Sequence, residues 1–84
     1  MMLNVKDVLS LEFYKKSPFH GSIDGLRYRI EKKEEDDVTS LLCTTWPEPF
    51  SFDATDDSLK EYYTSSFDEA GLEDIVDYIN KKIS

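Results

Sequence analysis

His20 is the only imidazole and Cys43 the only thiol in this chain of 84 residues, so nucleophilic chemistry of the cysteine-histidine kind must bring these two within hydrogen-bond reach. Cys43 lies between Leu42 and Thr44 in a stretch that reads as strand, where a thiol is ordinarily a small buried hydrophobe. One His and one Cys also fall short of the four ligands of a structural zinc site. Asp53, Thr55, Asp57 and Glu61 alternate like the oxygen ligands of a calcium loop. The sixth position of such a loop, here Ser58, lacks the glycine needed for its sharp turn, and the twelfth, Thr64, lacks the bidentate glutamate. The acidic pairs Asp36-Asp37 and Asp56-Asp57 are acid/base partners in principle, but adjacent carboxylates in turns are ordinarily just solvated. The chain carries no phosphate-cradling glycine loop, nucleophile elbow or zinc-binding helix motif. The expectation is a non-catalytic protein with no cofactor and no metal. Its rival is a small enzyme using His20 or the loop aspartates.

Binding chemistry is better represented. In Trp46-Pro47-Glu48-Pro49-Phe50-Ser51-Phe52 the prolines stiffen the backbone toward an extended form, which presents the phenylalanines at reduced entropic cost. Acids flank them, and rigid aromatics rimmed by charge have the make-up of a protein-binding hot spot. The partner-binding residues expected from this stretch are Trp46, Glu48, Phe50, Phe52, Asp53, Asp56 and Asp57. The competing expectation is that one or both phenylalanines fold back to cap a small core.

Charge narrows the partner. The net charge is -8 and unevenly spread: residues 1–33 carry seven Lys/Arg against four Asp/Glu, whereas residues 34–77 carry fourteen acids against Lys60 alone. Such a field repels nucleic-acid backbones and lipid headgroups and favours a protein with a basic surface. Solubility alone is the plainer explanation of the same acids. Arg27, Arg29, Lys32 and Lys33 form the one basic cluster on a predicted strand and define a third reading, a nucleic-acid binder. The lone cysteine excludes an intrachain disulfide, and the sequence has neither a basic-then-apolar leader nor an 18-residue apolar run, so the expected setting is cytoplasmic.

The elements that must position these residues follow from periodicity. Leu72, Ile75, Val76, Ile79 and Ile83 fall on one stripe of a helix over 68–83, with Asp68 as N-cap and Phe67 with Leu72 as a hydrophobic staple. A first helix is expected over 1–17, capped by Asn4 with Leu3 and Val8 as a staple, and ended by Ser17-Pro18. Residues 19–25 read as loop. Residues 26–32 alternate as a strand, with Leu26, Tyr28 and Ile30 on one face and Arg27, Arg29 and Glu31 on the other. A charged turn over 33–37 leads to a second strand over 38–46, in which adjacent Leu41 and Leu42 leave the inward face open by one residue. Residues 47–58 read as a long loop and 59–67 as a third strand. The chain is short enough to be a single α+β domain over 1–84, arranged α-β-β-β-α as a three-stranded antiparallel sheet with both helices on one face.

That order resembles the double-stranded RNA-binding domain, in which a lysine-rich start of the second helix sits over phosphates. Here Asp68, Glu69, Glu73 and Asp74 occupy those positions and would repel phosphate. Three stretches, Phe13-Tyr14-Lys15-Lys16-Ser17-Pro18-Phe19, Trp46-Pro47-Glu48-Pro49-Phe50 and Phe67-Asp68-Glu69-Ala70-Gly71-Leu72, resemble a group of small uncharacterised proteins of low-GC Gram-positive bacteria and their mobile elements. That resemblance implies no activity, cofactor or site residue. Together these readings point to an acidic protein-binding module. Its sharper form is a phage or mobile-element inhibitor whose carboxylates stand in for phosphates and block a nucleic-acid-binding enzyme.

Overall fold

The structure is a computed structural model that describes residues 3–5, 8, 11–48 and 50–83. A short helix α1 (Leu11–Tyr14) precedes strands β1 (Phe19–Ile23), β2 (Leu26–Glu35) and β3 (Val38–Pro47). A 3-10 turn (Asp57–Leu59), strand β4 (Glu61–Ser66) and helix α2 (Glu69–Ile83) complete the chain. The sheet is antiparallel in the order β1-β2-β3-β4. It therefore has four strands rather than the expected three.

The added strand is β1, where residues 19–25 read as loop. Ile23 and Leu26 flank Asp24-Gly25, both with positive φ, as a two-residue hairpin turn of the primed type requires. Its alternation is hidden because Gly21 stands opposite Tyr28, whose ring occupies the space a Gly21 Cβ would take. The second hairpin is also tighter than expected. β2 runs on to Glu35, and only Asp36 and Asp37, again at positive φ, make the turn.

Of the helix expected over 1–17, the described residues show a single α-helical turn at 11–14; residues 1, 2, 6, 7, 9 and 10 lie outside the described set. Leu3 is held in another way. The Asn80 side chain accepts from its N–H at 2.7 Å and donates to its carbonyl at 2.9 Å, so both backbone groups are satisfied by α2 rather than by a helix of their own. Leu3 and Val8 are nonetheless buried in the core cluster.

α2 forms as its sequence dictates. The Asp68 carboxylate caps it by accepting from the Gly71 N–H at 2.7 Å, and this bond, with the Ser66 hydroxyl, holds the carboxyl below the ordinary range. Leu72, Ile75, Val76 and Ile79 are buried in one cluster with Tyr14, Tyr28, Ile30, Leu41 and Cys43. Leu41, not Leu42, is the inward residue, which resolves the one-residue choice left by the sequence.

A polar seam clamps α2 to β4. Four helical residues advance about 6 Å and two strand residues about 6.7 Å, so residues on successive helical turns can meet alternate strand residues in reverse order. Asp74 accepts from the Tyr63 hydroxyl at 2.7 Å and the Ser65 hydroxyl at 2.9 Å. Tyr78 stacks on Tyr63 at 4.3 Å, and Lys82 pairs with Glu61. The two hydroxyls hold the Asp74 carboxyl below its ordinary range. Among the described residues no helix is long and apolar enough to cross a membrane.

Candidate protein-binding loop

The face of the sheet opposite α2 carries His20, Ser22, Arg27, Arg29, Thr44, Trp46 and Tyr62, which alternate in register with the core residues. The chain leaving β3 does not run away from this face. It folds back across it. The Glu48 N–H donates to the Gly25 carbonyl at 3.0 Å, which ties the start of the loop to the β1-β2 turn. The Trp46 indole N–H then donates to the Phe50 carbonyl at 2.8 Å. Beyond it Phe52 lies over the sheet, its ring centre 4.4 Å from the Arg29 Cζ, 4.1 Å from the Lys60 Nζ and 5.4 Å, edge to face, from Trp46. Beneath this cover Thr44 is only 1% exposed.

The rest of the loop makes hydrogen bonds within itself. Thr55, buried, donates its hydroxyl to the Ser51 carbonyl at 2.6 Å, and the Ser51 hydroxyl accepts from the Ala54 N–H at 3.3 Å. Asp56 caps the 3-10 turn by accepting from the Ser58 N–H at 3.0 Å, which draws its carboxyl below the ordinary range. Asp57 pairs with Lys60 at 3.4 Å.

The seven residues singled out in the sequence thus divide by role. Trp46, 3% exposed, is an interior support at the base of the loop. Phe52 is half-buried and pinned between two cations. Phe50 is 45% exposed, and Glu48, Asp53, Asp56 and Asp57 are exposed around the same loop. One phenylalanine therefore folds back and the other does not. Pro47 closes β3, and Pro49 lies outside the described residues. Arg29 and Lys60, the cations that hold Phe52, carry no sequence signal for this role, because they come from β2 and from the approach to β4.

The other constellations are not assembled. His20 lies on the outer face of an edge strand, exposed, whereas Cys43 is fully buried on the core face, so the sheet separates imidazole from thiol. Burial pushes the Cys43 thiol up to about 12. Among the described residues no three His, Cys, Asp or Glu side chains come together to hold a metal ion. Of the calcium-like series, Thr55 is turned into the loop's own hydrogen bonding and Asp57 to Lys60.

The basic cluster of β2 is largely neutralised along its own strand. Arg29 pairs with Glu31 at 3.3 Å, Lys32 with Glu34 at 2.9 Å and Lys33 with Glu35 at 3.2 Å, each with the carboxylate two residues on and hence on the same side. Lys32 projects to the opposite side from Arg27, Arg29 and Lys33, and Phe52 covers Arg29. No family model, curated protein sequence or solved structure matches this chain.

Proposed function

We propose that this protein is a non-catalytic, acidic binding module that engages a basic surface on a protein partner through the 48–57 loop. The observation that carries the reading is the exposed Phe50, whose carbonyl is locked to the Trp46 indole while Glu48, Asp53, Asp56 and Asp57 stand exposed around it. An aromatic anchor pre-ordered in this way loses little further freedom on binding, and the acids steer a cationic partner toward it. A reducing cytoplasm suits a buried, unpaired Cys43.

The sharper form of the proposal is an inhibitor, of phage or mobile-element origin, that presents carboxylates in place of phosphates to a nucleic-acid-binding enzyme. It is supported by the concentration of acid between residues 34 and 77 and by the sequence resemblance already described. Direct binding of nucleic acid through Arg27, Arg29, Lys32 and Lys33 is disfavoured by the three ion pairs and by the cover over Arg29. A gel shift at about 150 mM salt should show no retardation of DNA or RNA.

Quantitative affinity capture tests the proposal. The wild-type chain should retain a basic protein that Phe50→Ala loses, while Asp56→Asn with Asp57→Asn should slow its association and weaken its salt dependence. For the inhibitor form, the retained protein is a nucleic-acid enzyme whose substrate competes for it. Retention of the same proteins by Phe50→Ala and by the charge variant would exclude this loop as the binding surface.

A further inference from the structure

Arg27 is the exception to the pairing rule of β2. Each of Arg29, Lys32 and Lys33 finds a carboxylate two residues on, but the residue two beyond Arg27 is Arg29 and the residue two before it is Gly25. Across the sheet its partners are Ser22 on β1 and Trp46 on β3. All four neighbours on the sheet lattice are therefore non-acidic, in a chain with 18 acids to 10 cations. No ion pair of Arg27 is found among the described residues, and its Nε is buried, which leaves a ligand to its two Nη groups.

Arg27 lies in the wall of a groove of about 390 Å³ between β1 and the returning loop. His20 and Ser22 line it on the strand side, Ser51 and Asp53 on the loop side, and Trp46 and Phe52 supply aromatic surface. We infer that this groove is a carboxylate-binding site, in which the Arg27 guanidinium receives a planar carboxylate end-on through its two Nη groups and the aromatic rings take the apolar body that carries it. The planar fork of arginine matches a carboxylate through two parallel hydrogen bonds, one from each Nη. The Ser22 and Ser51 hydroxyls are further donors. Asp53 in the same lining opposes a second negative charge, which selects a monoanionic carboxylate over a phosphate monoester. The ligand is either a free aromatic carboxylate or the carboxylate at a peptide chain end. This inference does not rest on the basic-partner reading, because it uses Arg27 and the groove rather than Phe50 and the exposed acids.

Nuclear magnetic resonance titration of the full chain, following the Arg27 Nε–H and the Trp46 indole N–H, tests it. Sodium benzoate, its neutral counterpart benzamide, inorganic phosphate, and acetylphenylalanine as acid and as amide are added separately up to about 10 mM, a range that reaches millimolar dissociation constants. The expected result is a saturable shift of both signals with benzoate or acetylphenylalanine and none with benzamide or the amide. Tighter binding of acetylphenylalanine assigns a chain end, and tighter binding of benzoate a free aromatic acid. Arg27→Lys should weaken binding by about tenfold or more, since it keeps the charge and loses the fork. Absence of saturation with every carboxylate, equal shifts with benzamide, or tighter binding of phosphate would each overturn the assignment. Should Arg27→Lys lose its dispersed spectrum, the comparison of acid with amide on the wild-type chain still decides.

Discussion

Replacing Trp46 by phenylalanine removes the hydrogen bond from the base of the loop to the backbone of its exposed aromatic. The bond is 2.8 Å long and its donor belongs to a buried side chain, so losing it should cost about 0.5–1.5 kcal/mol. The smaller ring also leaves space beside Phe52, now 5.4 Å away, and a change of this size in a packed site adds about 0.5–1.5 kcal/mol. The total, about 1–3 kcal/mol, is a large share of the 5–15 kcal/mol typical of a domain. Urea denaturation reads this as a lower midpoint at unchanged slope. Backbone relaxation reads the local effect: order parameters across 50–55 should fall from about 0.85 toward about 0.6, while those of α2 stay put. A variant with the parent's midpoint and the parent's loop order would refute the idea that the indole bond pre-orders the loop.

Three further outcomes are expected. Ile75→Ala, at a fully buried position of the α2 stripe, should cost about 2–5 kcal/mol in chemical denaturation, and parent-like stability would rule out the packing of that stripe on the sheet. Asp36→Asn with Asp37→Gly should raise stability by about 1 kcal/mol, because both positions hold positive φ that Asn-Gly adopts readily, and a lowered melting temperature would count against that turn. Asp56, Asp68 and Asp74 have carboxyl groups held below their ordinary values, so their stabilisation is complete above the unfolded value of about 4 and is lost as pH falls through the lowered ones. Melting temperatures measured from neutral pH downward should therefore drop mainly below about pH 4, with a shallower drop in Asp74→Asn than in the parent.

Local signals and non-local ones separate what the sequence discloses from what it conceals. α2 was legible because the Asp68 cap, the staple at Phe67 and Leu72 and the apolar stripe all act within one segment. β1 also left a local signal, Asp24-Gly25 between two apolar residues, but its middle inward position holds Gly21 because Tyr28 from the next strand fills that space. The choice between Leu41 and Leu42 was closed to sequence reading, since both are apolar and only the seating of α2 decides it. In the candidate site, the aromatic and acidic composition of the loop was readable. The different fates of Phe50 and Phe52 were not, because they depend on Arg29 and Lys60, which come from β2 and from the approach to β4. The first helix was overread because helical spacing in residues 1–17 competes with burial of Leu3 and Val8 and with the hold of Asn80 on the Leu3 backbone.

The most direct test of the account places a photo-reactive phenylalanine analogue at position 50 and irradiates the chain in the presence of cellular protein. The account predicts a discrete cross-linked partner with a basic surface, whose yield falls as salt is raised and falls again in the Asp56→Asn, Asp57→Asn background. A cross-link to no defined protein, or one whose yield ignores both salt and the two aspartates, would contradict it.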